Sequence, residues 1–384
     1  MKTPPRWHIL VLTLVRIVYN TLHRMVYPFL SAFARGVGVD LTTISYALTL
    51  RSAIGTVGPF AAALSDRWGR KAGMLSGAAL FTLGAGLVVL WPTYTGLILS
   101  LVLSTLGKYL FDPSLLAYLG DRIPYEQRGR TIAITEFGWS LAFILGIPTV
   151  GFLIARNGWL APFPLFVLLG GLILVSLFLL IPGDGGRQRE HSTLGGFRLV
   201  LTSLPALAGL ALGLFSSGAN ELVNLLFGVW LEDSFGLQIA ALGLASAVIG
   251  ASELGAEGLV AAFVDRLGKT RAVMLGLAVN SLAAVLLPLV GRTEAGALAG
   301  LFLFYLSFEF TLVSSIPLMT EILPQARATL MACNVAALSL GRALGAFLGP
   351  RLYPLGFAAV AAGAVLFNLI ALLAVRRVQR TIHS

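Results

Sequence analysis

The sequence predicts an all-α membrane protein with twelve transmembrane helices in two pseudo-symmetric six-helix bundles. Three observations support this fold class. Hydrophobic residues make up 57% of the 384 residues and charged residues only 11%, whereas soluble domains carry about 25% charged residues. The apolar residues form continuous runs instead of the alternating pattern of barrel strands. A charged turn also recurs at the same relative position in both halves.

The apolar runs give twelve predicted spans, each long enough to cross a bilayer. Those of the first half are 8–33, 42–63, 72–91, 95–117, 131–154 and 159–181. Those of the second half are 202–229, 239–263, 272–291, 294–318, 328–350 and 355–375. Residues 182–199 between the two sets are polar and rich in glycine, so we interpret them as a cytoplasmic linker. The N-terminal bundle is therefore predicted at 1–181 and the C-terminal bundle at 200–384.

Basic residues in the predicted loops indicate the orientation. The loops and tails on the side of the N-terminus hold 18 of the 27 Lys and Arg residues, and the opposite loops hold 4. Because cytoplasmic loops are enriched in basic residues, both termini are predicted to be cytoplasmic. We expect a multi-pass protein of the plasma (inner) membrane.

Composition and motifs also argue against several functions. The positive charge lies in short loops and not along one face, which disfavours nucleic-acid binding. Cys333 is the only cysteine, so a disulfide within the chain is excluded. The sequence shows no nucleophile–base set, phosphate loop or metal-ligand spacing. We therefore expect neither an enzyme nor a bound metal or cofactor.

A charged turn follows the second predicted span of each half. Residues 62–71 read AALSDRWGRK and residues 261–271 read AAFVDRLGKTR. Asp66 and Asp265 are 199 residues apart, about half of the chain. Residues 123–128 (IPYEQR) and 323–327 (LPQAR) are a second matching pair. The spacing indicates a duplicated unit of six spans.

Twelve spans in two halves, with this turn after the second span, resemble the major facilitator superfamily over essentially the whole chain. The first turn departs from the family motif only at Ala62, where glycine is usual. The resemblance implies that the turn latches the cytoplasmic side. The latch residues would be Asp66, Arg67, Gly69, Arg70 and Lys71, with a weaker counterpart formed by Asp265, Arg266, Gly268 and Lys269. The alternative is that these bases only set the topology.

Ionisable residues inside the spans indicate a polar pathway. Each costs about 2.5–3.5 kcal/mol at mid-span unless it faces a partner or water. The residues other than histidine are Arg16, Arg24, Arg51, Lys108, Asp112, Glu136, Glu221, Glu253, Glu257, Glu309 and Arg342. They occur on spans 1, 2, 4, 5, 7, 8, 10 and 11, and the resemblance implies that these eight spans surround a central cavity.

The first half supplies the basic members of the predicted substrate-binding or proton-coupling site. One helical stripe on span 1 holds Arg16, Asn20, His23 and Tyr27, with Arg24 at its edge. Arg51 lies near the middle of span 2, and Glu136 is expected at the inner end of the cavity or at the latch. For Arg24 and Arg51, structural pairing with acids elsewhere is the alternative. Lys108 and Asp112 have i,i+4 spacing, so we interpret them as an intrahelical ion pair.

The second half supplies the acidic members of the predicted site. The acids are Glu221 on span 7, Glu253 and Glu257 on span 8, and Glu309 on span 10, and the predicted site also includes Asn220 and Asn224 on span 7 and Arg342 as a base on span 11. Glu253 and Glu257 are one turn apart. Two carboxylates that close repel each other, so we expect one of them to hold a proton near neutral pH. A salt bridge to Arg342 is the alternative.

The resemblance implies a secondary transporter that moves a small organic solute by alternating access, and the acids favour proton coupling. Efflux of a drug or metabolite is the first hypothesis. Import or exchange of an anionic metabolite is the second, because three arginines lie inside spans of the first half. A receptor, scaffold or channel is the hypothesis of a different class. The expected partners are a small-molecule substrate, protons and the lipid bilayer, and we expect a monomer.

Overall fold

The computed structural model describes residues 6–60, 69–183 and 194–382. Within these ranges the regular structure is helical. In chain order the helices are α1 (Arg6–Arg24), α2 (Leu30–Val37), α3 (Leu41–Ile54), α4 (Arg70–Leu90), α5 (Tyr94–Arg122), α6 (Tyr125–Leu141), α7 (Ile147–Asn157), α8 (Pro162–Leu180), α9 (Leu194–Thr202), α10 (Leu204–Phe235), α11 (Ile239–Leu267), α12 (Lys269–Val290), α13 (Glu294–Ile322), α14 (Arg327–Leu352) and α15 (Phe357–Ile382). A π-helical turn, Ala142–Gly146, joins α6 to α7.

Among the described residues, ten helical segments are long and apolar enough to cross a membrane. They coincide with predicted spans 3 to 12, so the all-α membrane fold class is confirmed. The first predicted span is divided into α1 and α2 by a turn that contains Pro28, which has no backbone N–H to donate. The second predicted span corresponds to α3, which has 14 residues.

The chain forms two compact units. The first comprises Met1–Ala47, Val57–Glu190 and Gln238–Gly250, and the second comprises Leu48–Thr56, His191–Leu237 and Ala251–Ser384. Residues 48–56 and 238–250 thus cluster with the unit of the other half of the chain. The division into bundles at residues 182–199 stays a prediction.

In the first unit, α4 packs against α5 and α8, while α1 packs against α6, the π-helical turn and α5. Glycines allow α4 and α5 to approach closely, since a Cβ on Gly77 would lie 2.6 Å from the carbonyl oxygen of Gly107. The Tyr19 ring of α1 stacks on Phe81 and Phe111, with centroids 4.6 and 4.7 Å away. Close packing of this kind drives helix association in lipid.

In the second unit the equivalent helix pairs recur. Helix α12 packs against α13 and α15, and α10 packs against α14, α13 and α15. Asn280 of α12 donates from Nδ2 to the carbonyl oxygen of Phe304 at 2.7 Å, and Asn368 of α15 donates to Asn280 Oδ1 at 2.7 Å. These hydrogen bonds connect predicted spans 9, 10 and 12, two of which carry none of the predicted charges.

The predicted repeat is also visible in the turns. Six described glycines have positive φ, and they form three pairs whose members are 198 or 199 residues apart: Gly38 and Gly236, Gly69 and Gly268, Gly158 and Gly356. Thr93 and Thr293 each accept a hydrogen bond from the N–H of the glycine three residues later, at 3.3 and 3.2 Å. Both threonines are N-caps, so equivalent helices of the two halves begin in the same way.

Candidate functional site

Four ionisable side chains from α1, α5 and α6 meet within the first unit, and we call Arg16, Lys108, Asp112 and Glu136 the tetrad. Arg16 donates two parallel hydrogen bonds to Glu136, from Nη1 at 2.5 Å and from Nη2 at 2.9 Å. Lys108 Nζ donates to Asp112 Oδ2 at 2.6 Å, and Arg16 Nε lies 3.8 Å from Asp112 Oδ1. Bidentate pairing of this kind adds geometric specificity as well as interaction energy. The tetrad is a connected group of two cations and two carboxylates.

Close helix packing and one amide hold the tetrad together. A Cβ on Gly138 would lie 2.8 Å from Arg16 Cβ, so glycine is what allows α6 to approach α1 at this level. Asn20, one turn after Arg16, donates from Nδ2 to the carbonyl oxygen of Gly138 at 3.1 Å. Its Oδ1 accepts a hydrogen bond from Lys108 Nζ at 2.6 Å. Asn20 therefore connects all three helices of the tetrad.

Trp139 lies beside two of the cations. The Arg24 guanidinium carbon is 4.1 Å from the centroid of the Trp139 ring and 3.7 Å from that of Phe143. Lys108 Nζ lies 5.4 Å from the Trp139 centroid, and Arg24 Nη1 donates to the Trp139 carbonyl oxygen at 3.2 Å. Both cations are within range of a cation–π interaction. Trp139 was not predicted, although its i,i+3 spacing from Glu136 places it one turn away.

The structure extends the predicted pairing of Lys108 with Asp112. Their intrahelical pair is confirmed, and both residues also contact residues of α1. The physical reason is that one ion pair leaves donors on the ammonium and lone pairs on the carboxylate unused. Glu136 binds Arg16 of α1, a contact that its place at the start of span 5 did not reveal.

A second group of polar side chains lies in the second unit. Glu221 of α10 is only 1% exposed. Asn224, three residues later, donates from Nδ2 to Glu221 Oε2 at 3.3 Å, and Tyr305 of α13 donates its hydroxyl to Asn224 Oδ1 at 2.9 Å. Tyr305 was not predicted, although it precedes Glu309 by one helical turn. We call Glu221, Asn224 and Tyr305 the polar chain.

The other predicted site residues lie in helices of both units. Buried members are Arg24 and Arg51 in the first half of the sequence, and Asn220, Glu253 and Glu309 in the second. Half-buried members are His23, Glu257 and Arg342. Their burial agrees with a position away from the ends of the spans, and their common role stays a prediction.

The first latch turn is described in part, because Asp66 and Arg67 lie outside the described residues. Gly69 has a φ of 91° and precedes α4. Arg70 Nε donates to Asp121 Oδ2 at the end of α5 at 3.2 Å. Lys71 Nζ donates to the carbonyl oxygen of Phe178 at 2.7 Å, near the end of α8.

The second latch turn repeats this arrangement. Gly268 has a φ of 80° and precedes α12, and Lys269 forms an ion pair with Glu321 at the end of α13. Asp265 and Arg266 are exposed. The partner acids Asp121 and Glu321 were not predicted, yet they are 200 residues apart, close to the 199 residues between the turns. Each latch cation at the first position of its helix therefore has an acid at the end of the next helix.

We expect the Arg70–Asp121 pair to contribute little stability despite its recurrence. Both side chains contact solvent, and exposed pairs are worth about 0.2–1 kcal/mol. A double-mutant cycle of thermal unfolding with Arg70→Ala and Asp121→Ala measures this coupling, and Lys269→Ala with Glu321→Ala is the matched cycle. A coupling energy well above this range in either cycle would contradict the expectation.

Comparisons with known proteins agree with this fold. The family model of the Major Facilitator Superfamily matches residues 12–320. The uncharacterized MFS-type transporter YwfA of Bacillus subtilis (strain 168) is 25% identical over 345 residues, which cover 88% of this chain and 83% of the relative. The inner membrane transport protein YdhP of Escherichia coli (strain K12) is 28% identical over 163 residues, 42% of each chain.

Solved structures show the same architecture. A bacterial homolog to the human lysosomal transporter Spinster, in an inward-facing and occupied conformation, matches with a TM-score of 0.79 at 14% identity, over 98% of this chain and 97% of that one. A peptide transporter POT in complex with sulfate matches with a TM-score of 0.78 at 14% identity, over 97% and 95% of the two chains. At these identities the likeness establishes the fold.

Proposed function

The chain belongs to the Major Facilitator Superfamily and is a multi-pass membrane transporter, not an enzyme, and we propose that it exports a small drug-like or metabolic solute by proton-coupled alternating access. In this proposal it resides in the bacterial plasma membrane with both termini in the cytoplasm. The two six-helix halves move relative to each other around the solute. The duplicated latch turns hold the cytoplasmic side closed in one of the two states.

The observation that carries the proposal is the burial of Glu221 within a predicted span. The residue is 1% exposed, and removal of an ionised carboxylate from water carries a desolvation cost. Gain and loss of a proton therefore change the energy of this region substantially. A transporter that exchanges a proton for a solute requires a group of this kind.

Further carboxyl groups support a proton pathway in the second half. Glu253 and Glu309 are 3% and 8% exposed, and Glu257 is half-buried. We propose that a proton from outside neutralises one of these acids, and that the protonated carrier, without solute, returns to the inward-facing state and releases the proton inside. Solute export and proton entry then use the same alternation.

The test is flux in liposomes that contain the purified protein. A thermal-shift screen of drugs and metabolites at two pH values first selects a compound that stabilises the protein, with ethidium as the reference probe for drug-like cations. Flux of that compound is then driven by an imposed pH gradient. We expect at least a tenfold loss in one or more of the variants Glu221→Gln, Glu253→Gln and Glu257→Gln.

Glu294→Gln is the matched control, because Glu294 is an exposed acid at the start of α13. Its flux should equal that of the wild type. Wild-type flux in all three buried-acid variants would refute proton coupling through these residues. Conductance that does not saturate with concentration would indicate a channel instead.

Import or exchange of an anionic metabolite is the second candidate. The burial of Arg24 and Arg51, at 6% and 1% exposure, favours it, because buried cations attract anionic groups. The bidentate pairing of Arg16 with Glu136 weakens it. Stabilisation by benzoate that disappears in Arg16→Ala and Arg51→Ala would support this candidate over export.

A further inference from the structure

We propose that Tyr305 and Asn224 are positioning residues that support Glu221 in both of its protonation states, through a hydrogen-bond chain that reverses direction when the proton binds. The inference rests on the proposed function, since it takes Glu221 as a group that exchanges the transported proton. It adds a stated role for two uncharged residues of the polar chain.

The direction of the hydrogen bonds in the polar chain is the one that an ionised Glu221 requires. A carboxylate only accepts hydrogen bonds, so the Asn224 amide must turn its NH2 group towards Glu221, as observed at 3.3 Å. Asn224 Oδ1 then faces Tyr305, whose hydroxyl donates to it at 2.9 Å. Asn224 and Tyr305 are 7% and 2% exposed, so solvent contributes little to satisfying these groups.

The opposite direction suits a neutral Glu221. When the carboxylate takes up a proton, its new O–H donates to Asn224 Oδ1 after the amide turns by half a rotation. Asn224 Nδ2 then donates to the Tyr305 hydroxyl, which is able to accept because a hydroxyl is both donor and acceptor. Apart from the added proton, no atom enters or leaves the chain. Glu221, Asn224 and Tyr305 therefore keep hydrogen-bond partners in both protonation states. This matters because a buried polar group without a partner is costly.

Charged residues also lie on the helices that pack against α10, which carries Glu221. The helices that pack against α10 are α9, α13, α14 and α15. Glu309 follows Tyr305 by one turn on α13, and Arg342 precedes Gly345 on α14, where a Cβ would lie 2.7 Å from Glu221 Cβ. The remaining basic residues of these helices are Arg198, Arg327, Arg351, Arg376, Arg377 and Arg380. The other spans of this unit carry the ionisable residues Arg51, Glu253 and Glu257. Tyr305→Phe leaves all these charges in place and removes one hydroxyl.

Infrared difference spectroscopy of the protein in liposomes tests the inference without a transported substrate. The protonated carboxyl band that is absent from Glu221→Gln is assigned to Glu221 and titrated between about pH 5 and pH 9. Hydrogen bonds that end on a carboxylate are stronger than those that end on a neutral carboxyl group. Loss of the Tyr305 hydroxyl therefore disfavours the ionised form of Glu221. We expect the band to persist to higher pH in Tyr305→Phe, by about one pH unit.

Tyr19→Phe is the matched control, because the Tyr19 hydroxyl is buried with no hydrogen-bond partner among the described residues and lies in the first unit. It should leave the titration of Glu221 unchanged. Asn224→Ala should shift the band as Tyr305→Phe does, and the double variant should show no further shift, because both changes break one chain. A purely structural role of Tyr305 would not give this non-additivity.

The outcomes separate the inference from the proposed function. A Glu221 band that titrates at the same pH in Tyr305→Phe overturns the hydrogen-bond chain and leaves proton coupling intact. Additive shifts in the double variant also overturn it. If no band assigned to Glu221 titrates in this range, its role in coupling fails and the inference fails with it.

Discussion

Replacement of Arg16 by methionine is expected to destabilise the protein by about 2–4 kcal/mol and to abolish transport. Removing one partner of a buried ion pair costs about 3–5 kcal/mol, because the other charge remains uncompensated. Arg16 is 5% exposed and contacts both carboxylates of the tetrad. The Glu136 side chain is 41% exposed, so water compensates part of its lost partner. Thermal unfolding in detergent and flux in liposomes measure the two effects.

Two further variants make this prediction specific. Arg16→Met with Glu136→Met removes both charges, and we expect most of the stability to return, because a pair of apolar residues of similar size often replaces a buried ion pair without cost. Arg35→Met is the matched single change at an exposed arginine of α2, with an expected effect within about 0.5 kcal/mol. Equal stability of Arg16→Met and Arg35→Met would show that the tetrad does not stabilise the first unit.

Replacement of Gly341 by alanine is expected to reduce the yield of folded protein severely. A Cβ at this position would lie 2.0 Å from the carbonyl oxygen of Leu214 and 2.8 Å from its carbonyl carbon. These are backbone atoms of α10, so relief requires the two helices to separate. Overpacking costs about 1–3 kcal/mol and occasionally more. We expect the upper part of this range, because α10 and α14 also pack at Gly345.

Gly258→Ala on α11 is the control for the Gly341 variant. A Cβ at Gly258 would meet no atom within 4 Å, and alanine favours a helix over glycine by about 0.5–1 kcal/mol. Size-exclusion chromatography gives the folded fraction, and thermal unfolding gives the change in stability. If Gly341→Ala behaves like Gly258→Ala, the close contact between α10 and α14 is not required for folding.

Half of the tetrad was within reach of the sequence. Arg16 and Glu136 were recognised because an ionisable residue inside an apolar span is costly and therefore conspicuous. Lys108 and Asp112 were equally conspicuous, but their i,i+4 spacing offered a complete local explanation. Asp112 is 96 residues from Arg16 in the chain, and Lys108 is 88 residues from Asn20. No local pattern encodes such a contact.

The missed residues share one property. Tyr305, Trp139 and Asn280 are uncharged, so the cost that makes an ionisable residue conspicuous inside a span does not single them out. Their importance comes from the groups that they meet: Asn224, the cations beside Trp139, and Asn368. Asp121 and Glu321 were missed for a related reason, because an acid in a loop or at a helix end needs no partner to be stable.

The sequence by itself determined the helical membrane class, the repeat and the family, because each depends on quantities that accumulate along the chain. Apolar content over about 20 residues decides whether a segment enters a bilayer, and a duplicated pattern such as the turns at Gly69 and Gly268 repeats at a fixed interval. Only the tertiary structure decided which charges share a partner. An ion pair forms over a few ångströms, so it depends on how helices distant in sequence pack together, as α1 does against α6 at Gly138.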